Sequence, residues 1–260
     1  MSYGENGSAK IYYESYGEGP ALIFAHGAGG NASSWWQQVP HFADRYRVIT
    51  FDHRGFGRSI CPDEALDIKC FVDDLVCIMD TEVIDTATLV CQSMGGWTGM
   101  GMAVNHPERV DALVMSLTGG GISTDEITRE RERTMADQVP ITNPFGSWAV
   151  APDLPDKNIE GSHLYNQIGS FNTNLKRNRM LGAIRDPIDP EKLNGYSVPT
   201  LFITAEQDQI FSPRMIGMVS ELVPGSTVKH LGDAGHSSYF EVPELFNKTV
   251  DEFLSSLGRE

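Results

Sequence analysis

The stretch from Cys91 to Gly96, which reads Cys-Gln-Ser-Met-Gly-Gly, constrains the fold of this chain more than any other. It follows an apolar run at 88–90 that predicts a buried strand, and it precedes a segment with apolar side chains at helical spacing. Small residues two before and two after Ser93 allow the strand and the helix to pass close to each other. A sharp turn between them would expose Ser93 beside the free N–H groups of a helix N-terminus. The sequence therefore predicts that Ser93 is a nucleophile.

Two further apolar strands upstream of Ser93 run into glycine-containing turns. The strand at 21–25 leads into His-Gly-Ala-Gly-Gly at 26–30, and the strand at 47–52 leads into Asp-His-Arg-Gly-Phe-Gly-Arg-Ser at 52–59. The first turn lacks both the Gly-Lys-Ser/Thr end of a P-loop and the glycine spacing of a dinucleotide fold. A phosphate cradle is therefore the weaker interpretation of this loop.

These motifs together resemble the α/β-hydrolase family. The family pattern at the nucleophile is Gly-x-Ser-x-Gly, and this chain has Cys91 where the first glycine is usual. The resemblance implies an oxyanion hole formed by the backbone N–H groups of Ala28 and Met94. It also implies that the turn after Asp52 braces the oxyanion loop, with His53 as a structural residue.

A serine hydroxyl needs a base to take its proton and a carboxylate to orient that base. In this family the acid and the histidine follow the serine along the chain. Asp208 stands at the family's acid position after the strand predicted at 198–204, and Glu206 is the competing carboxylate. His236 is the one histidine of seven that follows the strand predicted at 227–231 in the expected loop. The resemblance thus implies Ser93, Asp208 and His236 as the catalytic residues.

The predicted fold class is α/β, a mostly parallel eight-stranded sheet flanked by helices. Strand patterns alternate with helical patterns such as 66–79 and 243–257, and 260 residues can bury one large core. Asn6-Gly7 predicts a hairpin turn that gives the sheet an antiparallel edge. We expect residues 1–117 and 194–260 to form the core domain. By the resemblance, residues 118–193 form a small helical cap insertion that covers the nucleophile.

The first cap helix is predicted at Asp125–Ala136, with a solvated face because most of its residues are charged. Substrate-pocket candidates are Trp148, Arg179 and Tyr239. The apolar candidates for the pocket roof are Phe145, Trp148, Tyr165, Phe171, Met180 and Leu181. The basic residues between 176 and 185 leave two interpretations open. They form a solvated helix face, or Arg179 turns inward and binds a substrate carboxylate.

Composition limits the classes of partner. The net charge of −15 and the pI of about 4.8 argue against nucleic acid, which is bound by clustered Lys and Arg. No apolar run approaches the roughly 18 residues of a membrane span, and the N-terminus lacks a signal pattern. We therefore expect a cytoplasmic protein with a small-molecule substrate and no membrane partner. The sequence leaves the oligomeric state open.

The four cysteines, Cys61, Cys70, Cys77 and Cys91, form no C-x-x-C pair. This argues against a zinc site and a disulfide framework, so we expect reduced thiols, no metal and no cofactor.

The predicted function is a cofactor-free serine hydrolase that cleaves a carboxylic ester or a similar acyl bond through an acyl-enzyme. Two alternatives use the same triad, namely a lactonase and a carbon–carbon bond hydrolase of the meta-cleavage type. The second shares the Ser-Met-Gly-Gly elbow, but it tends to have a proline in the oxyanion loop and a tryptophan where this chain has Ser237. A ligand-binding receptor with weak hydrolase activity is the alternative from another class.

Overall fold

An eight-stranded sheet runs through the protein, and the computed structural model describes residues 2–173 and 187–258. The strands are β1 (Ser2–Asn6), β2 (Ala9–Tyr16), β3 (Ala21–Ala25), β4 (Arg47–Phe51), β5 (Ala87–Gln92), β6 (Val110–Ser116), β7 (Thr200–Thr204) and β8 (Thr227–His230). Their order in the sheet is β1-β2-β4-β3-β5-β6-β7-β8. Strands β3 to β8 pair in parallel, and β2 is antiparallel to β1 and β4. The predicted fold class is confirmed.

The antiparallel edge begins at the predicted hairpin. Gly7 has a φ of 60°, a left-handed conformation that glycine adopts without a steric penalty. Asn6 pairs with Ala9 directly across this turn, and the register continues to Ser2 opposite Tyr13. The turn therefore sets the pairing of the whole edge.

Helices cover both faces of the sheet. They are α1 (Val39–Phe42), α2 (Phe71–Thr81), α3 (Gly95–Asn105), α4 (Asp125–Ala136), α5 (Leu154–Lys157), α6 (Ile159–Ser170), α7 (Pro213–Leu222), α8 (Ser238–Glu241) and α9 (Pro243–Ser256). Two 3-10 turns precede α2, at 63–65 and at 68–70. The second occupies the start of the pattern at 66–79, so the helix begins five residues later than predicted. The Asp67 side chain accepts the Lys69 N–H and caps the second of these turns, which separates it from the helix.

Alternate side chains of the central strands enter two different cores. On β3, Ile23 packs in a cluster with side chains of α2, α3 and α7, whereas Leu22 and Phe24 pack with side chains of α9 and with Trp35. Strands covered on both faces read as continuous apolar runs, which explains the sequence of β3. Each such side chain contributes roughly 1.5–3 kcal/mol on full burial. The carboxyl ends of these strands are thereby held as a rigid edge.

The segment between β6 and β7 carries α4, α5 and α6. Helix α4 has the bounds that the sequence predicts and is capped by Thr124, whose side chain accepts the Ile127 N–H. Only Ile127 and Glu130 of this helix are buried, so its charged face is solvated as expected. The division into core and cap at 118 and 193 stays a prediction. Among the described helices, none has the length and apolar character needed to cross a bilayer.

Candidate active site

Ser93 lies in the turn between β5 and α3 with a φ of 50°. Such left-handed backbone costs a residue other than glycine on the order of 1–3 kcal/mol and persists only where neighbours enforce it. Here the Ser93 N–H donates to the Ser116 carbonyl at 3.1 Å, and the Thr118 hydroxyl donates to the Ser93 carbonyl at 2.7 Å. The end of β6 and the loop that follows it thus hold the predicted nucleophile in its strained turn.

Glycines allow α3 to start directly against the sheet. A Cβ atom on Gly95 would lie 2.3 Å from the Ala25 carbonyl oxygen, and one on Gly99 would lie 2.5 Å from the Cys91 Sγ atom. Cys91 is fully buried under this helix, and burial raises the pKa of its thiol. The cysteine in the family's glycine position therefore packs against the helix.

The glycine loop after β3 passes over the Ser93 turn. A Cβ atom on Gly27 would lie 2.1 Å from Gln92 Oε1 and 2.9 Å from Ser93 Cβ, so only glycine permits this approach. In the described ranges, neither the Ala28 N–H nor the Met94 N–H donates to a protein acceptor. Free N–H groups on this loop and at the start of α3 fit the predicted oxyanion hole, whose role stays a prediction.

The turn after β4 braces this loop, as the sequence predicts. One Asp52 carboxylate oxygen accepts the Ala32 N–H at 2.6 Å, and the other accepts the Arg58 N–H at 2.7 Å. The His53 N–H donates to His26 Nε2 at 3.0 Å. Burial lowers the pKa of both imidazoles, so they remain uncharged at neutral pH. Both histidines are structural.

Asp208 and His236 form a buried hydrogen-bonded pair. Oδ2 of Asp208 lies 2.9 Å from Nδ1 of His236, and the other carboxylate oxygen accepts the Ile210 and Phe211 N–H groups at 2.7 and 3.0 Å. The Phe211 ring stacks on the imidazole with an interplanar angle of 10° and a centroid distance of 5.8 Å. The imidazole is therefore held through Nδ1 and through its face, which leaves Nε2 for a reacting group.

The competing carboxylate lies elsewhere. Glu206 is exposed, and its Oε2 atom lies 3.3 Å from Nε2 of His230 on β8. The structure thus pairs Asp208, and not Glu206, with His236.

Ser93 and His236 line the same cavity of about 360 Å³. The glycine loop after β3 contributes 28–30, and the segment between β6 and β7 contributes Tyr165, Asn166 and Asn172. A serine and a histidine at one cavity, with free backbone N–H groups on the adjoining segments, are the groups that acyl transfer uses. Among the described residues, no cluster of histidine, cysteine and carboxylate side chains could hold a metal ion.

A family model described as the alpha/beta hydrolase fold matches residues 20–143 and 155–243. The chain belongs to the α/β-hydrolase family. Among curated relatives, the 3-oxoadipate enol-lactonase 2 of Acinetobacter baylyi is 28% identical over 249 residues, which cover 94% of this chain and 92% of that protein. A 2-hydroxy-6-oxononadienedioate/2-hydroxy-6-oxononatrienedioate hydrolase of Burkholderia vietnamiensis is 30% identical over 274 residues, covering 94% of this chain and 91% of that one.

A similar solved structure is that of Est816, described as an N-acyl homoserine lactone degrading enzyme. It has a TM-score of 0.79 and 26% identity, and the match covers 97% of this chain and 100% of that chain. The similar proteins are thus hydrolases whose names give different substrates.

The structure places the three pocket candidates of this α/β hydrolase differently. Tyr239 is buried and lines the cavity. The prediction that Trp148 lines the pocket is corrected, because its side chain is 48% exposed and its indole N–H donates to the Val139 carbonyl at 3.3 Å. Its neighbours Ser147 and Ala149 face the cavity instead. Arg179 lies outside the described residues.

Of the roof candidates, Tyr165 lines the cavity, whereas Phe171 is 60% exposed and Phe145 is not among the lining residues. Met180 and Leu181 lie outside the described residues. Sequence reasoning missed Asn166, which lies in α6, and Asn172, which follows that helix, because a single asparagine carries no sequence pattern. Asn172 joins the segment between β6 and β7 to the turns after β3 and β4. Its side-chain amide N–H donates to the Gly30 carbonyl at 3.0 Å, and its side-chain oxygen accepts the Gly57 N–H at 2.9 Å.

Proposed function

We propose that this α/β hydrolase is a cofactor-free serine hydrolase that cleaves carboxylic esters through an acyl-enzyme. The observation that carries the proposal is the buried Asp208–His236 hydrogen bond beside the cavity that Ser93 also lines. The strained turn at Ser93 adds support, because such strain is concentrated at functional sites.

In the proposed reaction, Ser93 Oγ attacks the ester carbonyl while His236 Nε2 takes the hydroxyl proton. Asp208 keeps the other ring nitrogen protonated and stabilises the imidazolium. The Ala28 and Met94 N–H groups stabilise the oxyanion, each worth on the order of 10²–10³ in kcat. His236 then returns the proton to the leaving alcohol, and water releases the acid by the same steps.

A lactonase is the second candidate. A lactone is an internal ester, so the same residues would open it, with the alcohol remaining attached to the acyl group. The names of two relatives favour this candidate, namely the enol-lactonase and the N-acyl homoserine lactone degrading enzyme. Because of the similar hydrolase of Burkholderia vietnamiensis, a substrate test should include carbon–carbon bond hydrolysis as a further outcome.

The nucleophile is tested by labelling with a fluorophosphonate, followed by peptide mass spectrometry. We expect one modified residue, Ser93, and no labelling of the Ser93→Ala variant. Ser147→Ala is the matched control, because Ser147 is a second serine that lines the cavity and we expect its loss to leave labelling intact. Undiminished labelling of Ser93→Ala, or modification at another site, would refute the nucleophile.

The bond class is tested by comparing kcat/KM over neutral esters, lactones and vinylogous diketones. We expect turnover of esters, with lactones as the second class. Turnover confined to the diketones would replace the ester proposal with carbon–carbon bond hydrolysis. Slow turnover of all three, together with a partner protein that binds only in the presence of a ligand, would favour a receptor.

A further inference from the structure

Glu241 is a partly buried carboxylate that the proposed reaction does not use. It ends α8, five residues after His236, and it accepts three backbone N–H groups. Oε2 accepts from Ala151 at 2.9 Å and from Gly235 at 3.0 Å, and Oε1 accepts from Ser237 at 3.2 Å. A side chain with this many backbone partners fixes the segments that donate to it.

Two of the three donors flank His236 directly. Gly235 precedes the histidine and Ser237 follows it, so one carboxylate holds the backbone on both sides of the imidazole. The His236 carbonyl is held as well, since it accepts from Gln92 Nε2 at 2.9 Å. Asp208 orients the ring, and Glu241 fixes the backbone from which the ring extends.

The third donor belongs to the cap segment. Ala151 lies just before α5 and two residues after Ala149, which lines the cavity. A Cβ atom on Gly235 would lie 2.1 Å from the Ala151 nitrogen, so the histidine loop and the cap segment are in direct backbone contact. Glu241 therefore ties the position of the imidazole to the position of this part of the cap.

The charge of Glu241 also acts on His236. The titratable groups around the carboxylate are His236 on the preceding loop, Tyr165 on α6 and Tyr239 on α8. Burial raises the pKa of Glu241, while the three N–H bonds and the attraction to His236 oppose this rise. Both tyrosines are neutral at neutral pH, because burial raises the pKa of each hydroxyl. In its ionised form, the Glu241 carboxylate is a second negative charge, besides Asp208, beside the His236 loop, and a negative charge there favours an imidazolium.

We infer that Glu241 is a positioning residue of the hydrolase, which fixes the His236 loop against the cap and stabilises the imidazolium formed in the reaction. This inference rests on the proposed function, because it assigns His236 the role of the base. It adds a second carboxylate to the site without adding a group that touches the substrate.

The test is the pH profile of kcat/KM for Glu241→Gln. The amide has nearly the same shape but no charge, and its NH₂ group replaces one acceptor. We expect kcat to fall by about 10-fold to 100-fold with KM changed less than about threefold, because the loss falls on proton transfer. The acid limb should move to lower pH by roughly 0.5–1 unit, since removing a negative charge disfavours the imidazolium.

Two further variants separate charge from geometry. Glu241→Asp keeps the charge but is one methylene shorter, so kcat should fall while the acid limb stays within about 0.3 units of the wild type. Glu244→Gln is the matched control, because Glu244 is an exposed carboxylate three residues further along the chain. We expect wild-type kcat and an unshifted pH profile for this control.

The inference is overturned if Glu241→Gln keeps the wild-type kcat, or if its acid limb does not move relative to Glu244→Gln. Should Glu241→Gln fail to fold, a wild-type kcat in Glu241→Asp would overturn the positioning role. Labelling of wild-type Ser93 separates the two proposals, since it does not depend on Glu241. Labelled Ser93 with an unaffected Glu241→Gln variant refutes only this inference, whereas an active Ser93→Ala variant refutes the proposed function.

Discussion

At the scale of single residues, Ser93 and His236 reach the same cavity by different means. Ser93 is placed by its backbone, whose left-handed turn is held by the Ser116 carbonyl and the Thr118 hydroxyl. His236 is placed by hydrogen bonds to carboxylates, with Asp208 on the ring and Glu241 on the flanking backbone. Substitutions at the two sites should therefore differ in kind, because those near Ser93 change the turn and those near His236 change proton transfer.

The first prediction concerns Asp208, the carboxylate that is hydrogen-bonded to the imidazole ring of His236. Asp208→Asn replaces the carboxylate that accepts from His236 Nδ1 with an amide that can donate to it, which favours the wrong imidazole tautomer. We expect kcat to fall by roughly 10⁴-fold, as for the corresponding change in other triads. The measurement is hydrolysis of a neutral ester by variants whose folding has been checked by circular dichroism.

Glu206→Gln is the control for this prediction, since Glu206 is exposed and lies beside His230. We expect its activity to stay within about twofold of the wild type, as surface substitutions usually have small effects. A loss below tenfold for Asp208→Asn, with a larger loss for Glu206→Gln, would transfer the role of the acid to Glu206.

At the scale of elements, the contact between α3 and β5 decides where the Ser93 turn lies. Gly99→Ala would place a Cβ atom 2.5 Å from Cys91 Sγ and 2.8 Å from Leu113 Cδ1, so the helix must move away from the sheet. Overpacking of this kind costs about 1–3 kcal/mol of the free energy of unfolding. We expect that loss in urea unfolding, together with reduced labelling of Ser93, because the turn is continuous with the helix.

Gly217→Ala is the matched helical control. Gly217 lies inside α7, and nothing lies within 4 Å of a Cβ atom built on it. Alanine should therefore raise the free energy of unfolding by about 0.5–1 kcal/mol through the lower entropy of the unfolded chain. Equal stabilisation by Gly99→Ala would contradict the close packing of α3 on β5.

Patterns of neighbouring residues predict the elements of this fold where local preferences decide them. The bounds of β3 agree with its apolar run, and the bounds of α4 agree with its charged run. Asn6-Gly7 fixes the edge hairpin. The start of α2 differs, because the helical pattern continues upstream of the point at which Asp67 caps a separate turn. Periodicity cannot show whether a side chain such as that of Asp67 will accept a backbone N–H and end a turn before the helix begins.

The residues of the candidate site likewise differ in whether a local sequence pattern predicts them. The elbow motif and the order of the family place Ser93, Asp208 and His236, and the structure brings the last two into contact. Glu241 has no such signal, because its partners lie 4, 6 and 90 residues away and are backbone groups of any residue type. The prediction that Trp148 lines the pocket fails for a related reason. The size and aromaticity of a side chain do not determine the direction in which it points.

At the scale of the whole molecule, the negative charge is distributed unevenly. Residues 118–193 hold nine basic and eleven acidic residues, whereas the rest of the chain holds eleven basic and twenty-four acidic ones. The described lining of the cavity includes no Lys, Arg, Asp or Glu side chain. A substrate thus passes through the electric field of a strongly acidic protein before it reaches this cavity, whose described lining carries none of these charged side chains.

This distribution predicts how salt affects the choice between neutral and anionic substrates. A carboxylate-bearing ester is repelled by the net charge of −15, and exposed charges are screened beyond roughly 8 Å at physiological ionic strength. We therefore expect kcat/KM for the carboxylate ester to rise by up to about tenfold between low and high NaCl, while that for a matched neutral ester stays nearly constant. The ratio of the two constants is the quantity to measure.

Arg179→Ala should leave this ratio unchanged if the basic residues of the cap are solvated. A kcat/KM for the carboxylate ester that falls with NaCl, and that Arg179→Ala lowers selectively, would instead indicate a cap arginine that binds the substrate carboxylate and would favour monoester or carbon–carbon bond substrates.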